Sequence, residues 1–295
     1  MRGIDLVLAG VVGWAALPAN EVPGSSPPSA VPRPAPRASA AAARSAGLDQ
    51  AVRPAEAVIW YLGHCGYAVR TAGHLLVFDY IELEERPTSR GLGRGFVDPA
   101  EIRDLPVRVF VSHSHIDHFD PVILEWRESI PDILYFFGWQ ARKGERTHDL
   151  AGPRATRAVP GLNILTVNSR HAGVDEATFL VELDGLVVFH GGDYQGIMAE
   201  GAPSNAAEDM RYLRGKARTP DLMFLGAWTG DPYLDIVRGL EPAVIFPGHW
   251  RKNPSKYAEF ADDLSRLGFD IPVPCPTRRG DRFEYRAGKA IAAKP

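Results

Sequence analysis

The chain of 295 residues has only two cysteines, Cys65 and Cys275. A disulfide framework is therefore excluded, although a single bridge is not. Zinc fingers and ribbons are excluded too, because they need closely spaced Cys pairs. An excess of one charge is also missing: 33 Lys and Arg stand against 36 Asp and Glu, for a formal charge of −3. That balance leaves no electrostatic footprint for nucleic acid. No Lys/Arg cluster of the kind that binds acidic lipid heads is present. The apolar run at 6–17 is too short to span a bilayer comfortably. Gly91, Gly93 and Gly95 have the wrong spacing for a dinucleotide fingerprint. No internal repeat is visible. These absences point away from nucleic acid and from a stable membrane span, and leave a small molecule as the expected partner. They leave the oligomeric state open.

What remains is ordinary globular composition, 45% hydrophobic and 23% charged. Residues 1–50 stand apart. Arg2, the apolar run and the small residues near Ala19 resemble a secretory signal peptide, although Asp5 sits badly beside that run. Export to the periplasm or exterior and a cytoplasmic chain with an N-terminal extension therefore both stay open. The stretch 22–46 is rich in Pro, Ala and Ser and reads as a linker. The folded domain is expected over 51–295, beginning near Val52.

Beyond that point short apolar runs alternate with loops. Strands are expected at 58–62, 67–70, 75–78, 107–111, 133–137, 164–167, 178–183, 186–189, 222–225 and 244–246. Asp120 followed by Pro121 reads as an N-cap with proline at the first helical position, with helix over 122–129. Helices are also expected at 209–216 and 257–267. Many strands and few helices imply a mixed α/β domain with two sheets or one large one.

The chemistry is concentrated in His113-Ser114-His115-Ile116-Asp117-His118, directly after the VRVFV strand. In extended chain, residues two apart point the same way, so His113 and His115 can reach one metal together. The turn toward the following helix can carry Asp117 and His118 to a second position. Imidazole and carboxylate suit zinc and neighbouring divalent metals. Burying so many polar groups without a metal to satisfy them is costly. His171 (SRHAG), Asp193 (FHGGD) and His249 (FPGH) each follow an apolar run. The glycines before Asp193 permit the sharp turn that aims a carboxylate inward.

These motifs, in this order, resemble the metallo-β-lactamase superfamily, whose signature is H-x-H-x-D-H after a strand. The opening VIWYLGHCGYAV and HLLVFDY resemble its first hairpins, so the likeness covers about residues 57–252. It implies a four-layer αββα sandwich. It also implies a first metal on His113, His115 and His171, a second on Asp117, His118 and His249, and Asp193 bridging both. The cofactors implied are two divalent ions, zinc first, with manganese or iron as alternatives. Two ions about 3.5–4 Å apart lower the pKa of a shared water and clamp an attacked oxygen. Asp117 could orient that water or accept its proton. Gly63-His64, Asp79 and the turn from His190 to Asp193 bring the chain nearest to the ascorbate-6-phosphate lactonase-like group.

Several residues carry two readings. His64 is a substrate contact, a general acid or a hydrogen-bonded core histidine. His190 reads as a supporting or core histidine, and Asp79 as a brace for the metal loop. His74 and His148 read as surface residues, and Cys65 as a small buried thiol without an activating partner. The Gly- and Arg-rich stretch 86–98 is a mobile loop or a lid whose Arg86, Arg90 or Arg94 meets an anionic substrate. Trp139, Trp228 and Tyr233 line a pocket or belong to the core.

The expected activity is metal-dependent hydrolysis of an ester, lactone, amide or phosphodiester in a small anionic substrate. Against a β-lactam stands Asp193, because true lactamases of the superfamily usually have Cys or Ser there. The alternatives are an iron-dependent oxidoreductase of the same fold and a metal-binding protein without catalysis. Di-iron flavoprotein relatives put Glu at the position of His115 and carry a flavin domain; neither is present here. Nucleic-acid-processing relatives carry a large inserted domain, also absent. The complete ligand set argues against a non-catalytic protein.

Overall fold

The computed structural model describes residues 56–82, 87–141, 144, 146–196, 205–286 and 289–292, with only the backbone of His171 and of 289–292. The signal-like segment and linker at 1–50 lie outside the described residues.

Two sheets face one another. The first has eight strands in the order β15 (Lys289–Ala292), β14 (Arg282–Arg286), β1 (Glu56–Gly63), β2 (Gly66–Arg70), β3 (Leu75–Phe78), β4 (Val107–Val111), β5 (Ile133–Phe137) and β6 (Thr147–Asp149). The second runs β13 (Ile245–Gly248), β12 (Leu222–Gly226), β11 (Leu186–His190), β10 (Phe179–Leu183), β8 (Leu162–His171) and β7 (Arg154–Val159), with β9 (Val174–Ala177) paired to β8. The period of two explains why β1 to β5 are buried on both faces. Ile59, Tyr67, Leu76, Phe78, Phe110 and Phe136 belong to the core shared with the second sheet. Val77, Val109, Val111 and Tyr135, offset from these by odd numbers of residues, belong to a separate core on the other face.

That outer core is closed by α1 (Pro99–Ile102) and by a 3-10 helix at Pro121–Glu128, through Ile102, Ile123 and Trp126. On the far side α2 (Ala206–Arg214), α3 (Asp231–Leu240) and α4 (Ser255–Arg266) contribute Met210, Leu213, Ile236, Val237, Phe260 and Leu264. The result is the four-layer αββα sandwich of the metallo-β-lactamase fold.

Strand direction positions the site. β3 to β6 run parallel, as do β11 to β13. Parallel strands end on the same edge of their sheet, so the segments after β3, β4, β11 and β13 can converge. Sites of open α/β sheets form outside such strand ends for the same reason.

The expected strands are all present within a few residues of their expected ends. The helix expected over 122–129 is instead the 3-10 helix, with Asp120 as N-cap accepting from Val122 N and Pro121 in the first turn. Its two buried residues, Ile123 and Trp126, are three apart. A 3-10 helix places such residues directly above one another on one face. Strands β6, β7, β9, β14 and β15 and helices α1 and α3 are additions. The central residues of β7 show no clear inside-outside alternation, so periodicity could not reveal it.

Candidate metal centre

The site is built from chain reversals at one edge. His64 lies in the β1–β2 turn, Asp79 follows β3, His113 to His118 follow β4, Asp193 follows β11 and His249 follows β13. Three of these hold a positive φ rare for non-glycine residues: His64 at 54°, Asp79 at 39° and His249 at 80°. Such strain persists only where the surroundings over-determine it, and it gathers at functional sites. Gly192 explains the double glycine before Asp193. Its φ is +55°, and a Cβ there would meet Glu176 Oε1 and Ser112 Cβ at 2.7 Å.

Asp79 is fully buried and organises the β4 loop. It accepts from Ser112 N at 2.7 Å and from Ser112 Oγ at 2.7 Å. Its Oδ2 also lies 2.7 Å from His118 Nδ1. With the His118 proton on Nδ1, Nε2 is left as a bare acceptor facing inward, 3.3 Å from Asp193 Oδ1. Burial opposes charge on His118, yet Asp79 and Asp193 raise its pKa well above the ordinary value. Burial alone would raise the pKa of Asp193, but His118 and His249 pull it far below the carboxylate range. Burial lowers His113 to about 4, with the neighbouring His118 adding to the effect.

His113 and His115 are brought together edge to face, with ring centres 4.7 Å apart, and His118 lies 4.0 Å from His113. His249 Nε2 is 3.7 Å from Asp193 Oδ2. His64 Nε2 is 3.4 Å from Asp117 Oδ2. One donor atom from each of His64, Asp117, His118 and His249 falls within 4.8 Å of the others, and the same holds for Cys65, His118 and Asp193. The backbone of His171 ends β8 and pairs with Val174. Its side chain lies outside the described residues.

These residues fit divalent metal. His118 Nε2, His64 Nε2 and His249 Nδ1 are buried and make no hydrogen bond, a state that buried polar atoms rarely tolerate. The close approaches of 3.3, 3.4 and 3.7 Å lack hydrogen-bonding alignment for His118 and His64. Donors about 2.1 Å from one tetrahedral ion lie about 3.4 Å from each other, and the approaches of His118 and His64 match that spacing.

The sequence did not reveal Glu176. This carboxylate on β9 is fully buried. It accepts from Asp193 N at 2.5 Å and from Ser169 Oγ at 3.3 Å, and lies 3.4 Å from His113 Nδ1. It therefore touches one residue expected at the first metal and the one expected between the two. The only signal was an acid five residues after His171.

Other expectations resolve simply. His190 is a core histidine: its ring stacks on Phe78 at 5.0 Å and Nε2 lies 3.1 Å from Cys65 O. Cys65 is buried and unbridged, with its thiol pKa pushed well up by burial. His74 and His148, expected at the surface, are partly exposed and partnered. His74 pairs with Asp184 at 3.0 Å, and His148 stacks on Phe136 at 5.0 Å. Both are half-buried, His74 in the β2–β3 turn under Asp184 and His148 on β6 beside β5. Arg90 is bound by Glu82 through its two terminal guanidinium nitrogens, which takes it away from an incoming anion. Arg94 is exposed, and Arg86 lies outside the described residues. Trp139 packs with Phe119 and Phe137 in the outer core. Trp228 lies against His249 at 4.2 Å and Tyr233 at 4.9 Å, forming an aromatic wall beside the site.

No protein-family model matches the chain, and no curated protein matches it. Solved structures share its fold. Igni18, a novel metallo hydrolase from the hyperthermophilic archaeon Ignicoccus hospitalis, is 18% identical and superposes with a TM-score of 0.56, covering 78% of this chain and 99% of that one. CmlA, a diiron β-hydroxylase from Streptomyces venezuelae, is 12% identical with a TM-score of 0.52, covering 79% of this chain and 54% of that one. At such identities the likeness is one of fold.

Proposed function

We propose that the chain is a metal-dependent hydrolase of small, anionic substrates. It would hold two divalent ions on His113, His115, Asp117, His118, His171, Asp193 and His249, zinc first and manganese or iron as alternatives. The observation that carries this reading is that two buried imidazole nitrogens without hydrogen bonds, His118 Nε2 and His64 Nε2, stand at ligand-to-ligand spacing from Asp193 and Asp117, with His249 grouped beside His64, Asp117 and His118. Ions bound there supply Lewis acidity toward a carbonyl or phosphoryl oxygen and lower the pKa of a water nucleophile. Asp79 holds His118 in the tautomer that leaves Nε2 as a donor atom. Asp117 keeps a side chain 41% exposed and so can reach solvent, as a residue that orients a water or takes its proton must. Trp228 and Tyr233 give the cleft an apolar wall against which an organic substrate can pack.

Asp193 supports a substrate other than a β-lactam, since true lactamases usually have Cys or Ser at the corresponding position. An added carboxylate between the ions favours a balanced pair, suited to a substrate that brings its own oxyanion. Kinship with the ascorbate-6-phosphate lactonase-like group is part of this proposal and makes lactones the first substrates to try. Metal analysis of protein purified without chelator should give about two ions per chain. Nitrocefin, a lactone, a thioester and bis(p-nitrophenyl) phosphate should then be compared with and without chelator. We expect chelator-sensitive turnover of one of the last three. Metal-free protein, or nitrocefin turned over far faster than the others, would overturn the reading.

The fold likeness to CmlA supports a second reading, iron-dependent oxidation, so iron must be scored beside zinc and oxygen uptake measured. The signal-like start supports a separate proposal, that the chain is exported and cut near Ala19. Met1 on the mature protein would contradict it.

A further inference from the structure

Within this metal reading, we propose that His64 is an additional metal ligand, completing the second position with Asp117, His118 and His249. The sequence left His64 between substrate contact, general acid and core histidine. A core histidine finds partners for its ring, as His190 does by placing Nε2 3.1 Å from Cys65 O. His64, one residue before Cys65, does not: it is 5% exposed, yet its Nε2 has no hydrogen-bond partner. It faces Asp117 Oδ2 at 3.4 Å, the spacing of co-ligands and longer than an ordinary hydrogen bond. The ring is wedged between two expected ligands, 4.4 Å from His249 and 5.1 Å from His118.

The backbone points the same way. His64 is held at a φ of 54°, and its carbonyl accepts from His249 N at 3.0 Å. That bond locks the β1–β2 turn to the turn after β13, so the two histidines are presented as a unit. Arg279 braces the same turn, donating to Leu62 O. A substrate contact or general acid needs access to solvent, which this burial denies. A fixed, buried ligand needs only the orientation that the strained turn supplies.

The test uses full-length wild-type protein and His64→Asn, because Asn tolerates positive φ. Zn2+ competition titrations should show one of the two equivalents losing at least about 100-fold in affinity, since even supporting residues cost 10–100-fold, with the other unchanged. In Co2+-loaded protein the variant should lack one exchangeable, hyperfine-shifted imidazole N–H signal. Should the variant not fold, the wild type suffices: 113Cd-loaded, 15N-histidine-labelled protein should show cadmium coupling to a His64 ring nitrogen. A variant that keeps both equivalents and the full signal count, or the absence of that coupling, would overturn this inference and leave the hydrolase reading standing. Wild-type protein that takes up no metal would overturn both.

Discussion

The two ends of the sandwich both carry an acidic residue in a tight turn, and they treat it in opposite ways. At one end Asp184, in the β10–β11 turn, reaches across to the β2–β3 turn of the other sheet. It accepts from Thr71 Oγ1 at 2.5 Å and from Gly73 N at 2.9 Å, and lies 3.0 Å from His74 Nδ1. The protein itself supplies the donors, and the result is a clasp between sheets. At the other end Asp193 and Asp117 crowd together with His64, His118 and His249, each of which keeps a buried imidazole nitrogen without a hydrogen bond. At the first end the donors that meet the carboxylate all come from the protein; at the second, buried imidazole nitrogens without a hydrogen bond are what the metal reading explains.

The contrast can be broken first at Asp193. Asp193→Ala should cut turnover by about a thousandfold or more and lower metal stoichiometry, since it removes the only residue expected to touch both ions. Retained activity would remove Asp193 from the site. Glu176 offers a gentler cut. Glu176→Gln keeps the volume but weakens the hold on Asp193 N and His113, and should reduce metal affinity about 10–100-fold. Unchanged affinity in a chelator competition would reduce Glu176 to a structural acid.

Asp184 should behave the other way. Asp184→Asn should leave metal content and turnover unchanged and cost about 1–3 kcal/mol of stability, as loss of a charged acceptor does. Burial would raise the Asp184 pKa, but Thr71, His74 and Gly73 together bring it below the ordinary value. A carboxylate depressed in the folded state contributes stability that is present above its unfolded pKa of about 3.9 and is lost as pH falls through the folded value. Urea titrations should therefore show the gap between wild type and variant closing as pH is lowered from about 5 toward 2. A gap that stays constant with pH would mean the clasp acts through shape rather than charge.

Much of this was legible because the site is written in runs. Six consecutive residues from His113 to His118 follow a strand of five apolar-rich residues, and Asp193 and His249 each follow a glycine at a strand end. Local order of that kind survives in the sequence. Glu176 and Asp184 did not show, for one reason: each is a lone acid whose meaning lies in a partner far along the chain. Asp184-Gly185 reads as any hairpin turn, and only the packing of the two sheets brings Thr71 and His74 to it. His64 was visible as a residue but not as a role, because its role depends on Asp117, His118 and His249 arriving beside it. The 3-10 helix was mistaken for an α-helix because capping and proline signals serve both.

The bond from His249 N to His64 O also has a temporal meaning. It joins the first turn of the described domain to the turn after β13, so the pocket cannot close until the chain has been made as far as His249. A ribosome must release β13 before the β1–β2 turn finds its counterpart, and pairings of such long range are slow to form. On the metal reading, an ion that needs both turns therefore has to wait for the chain as far as His249, well after His113 to His118 have been made.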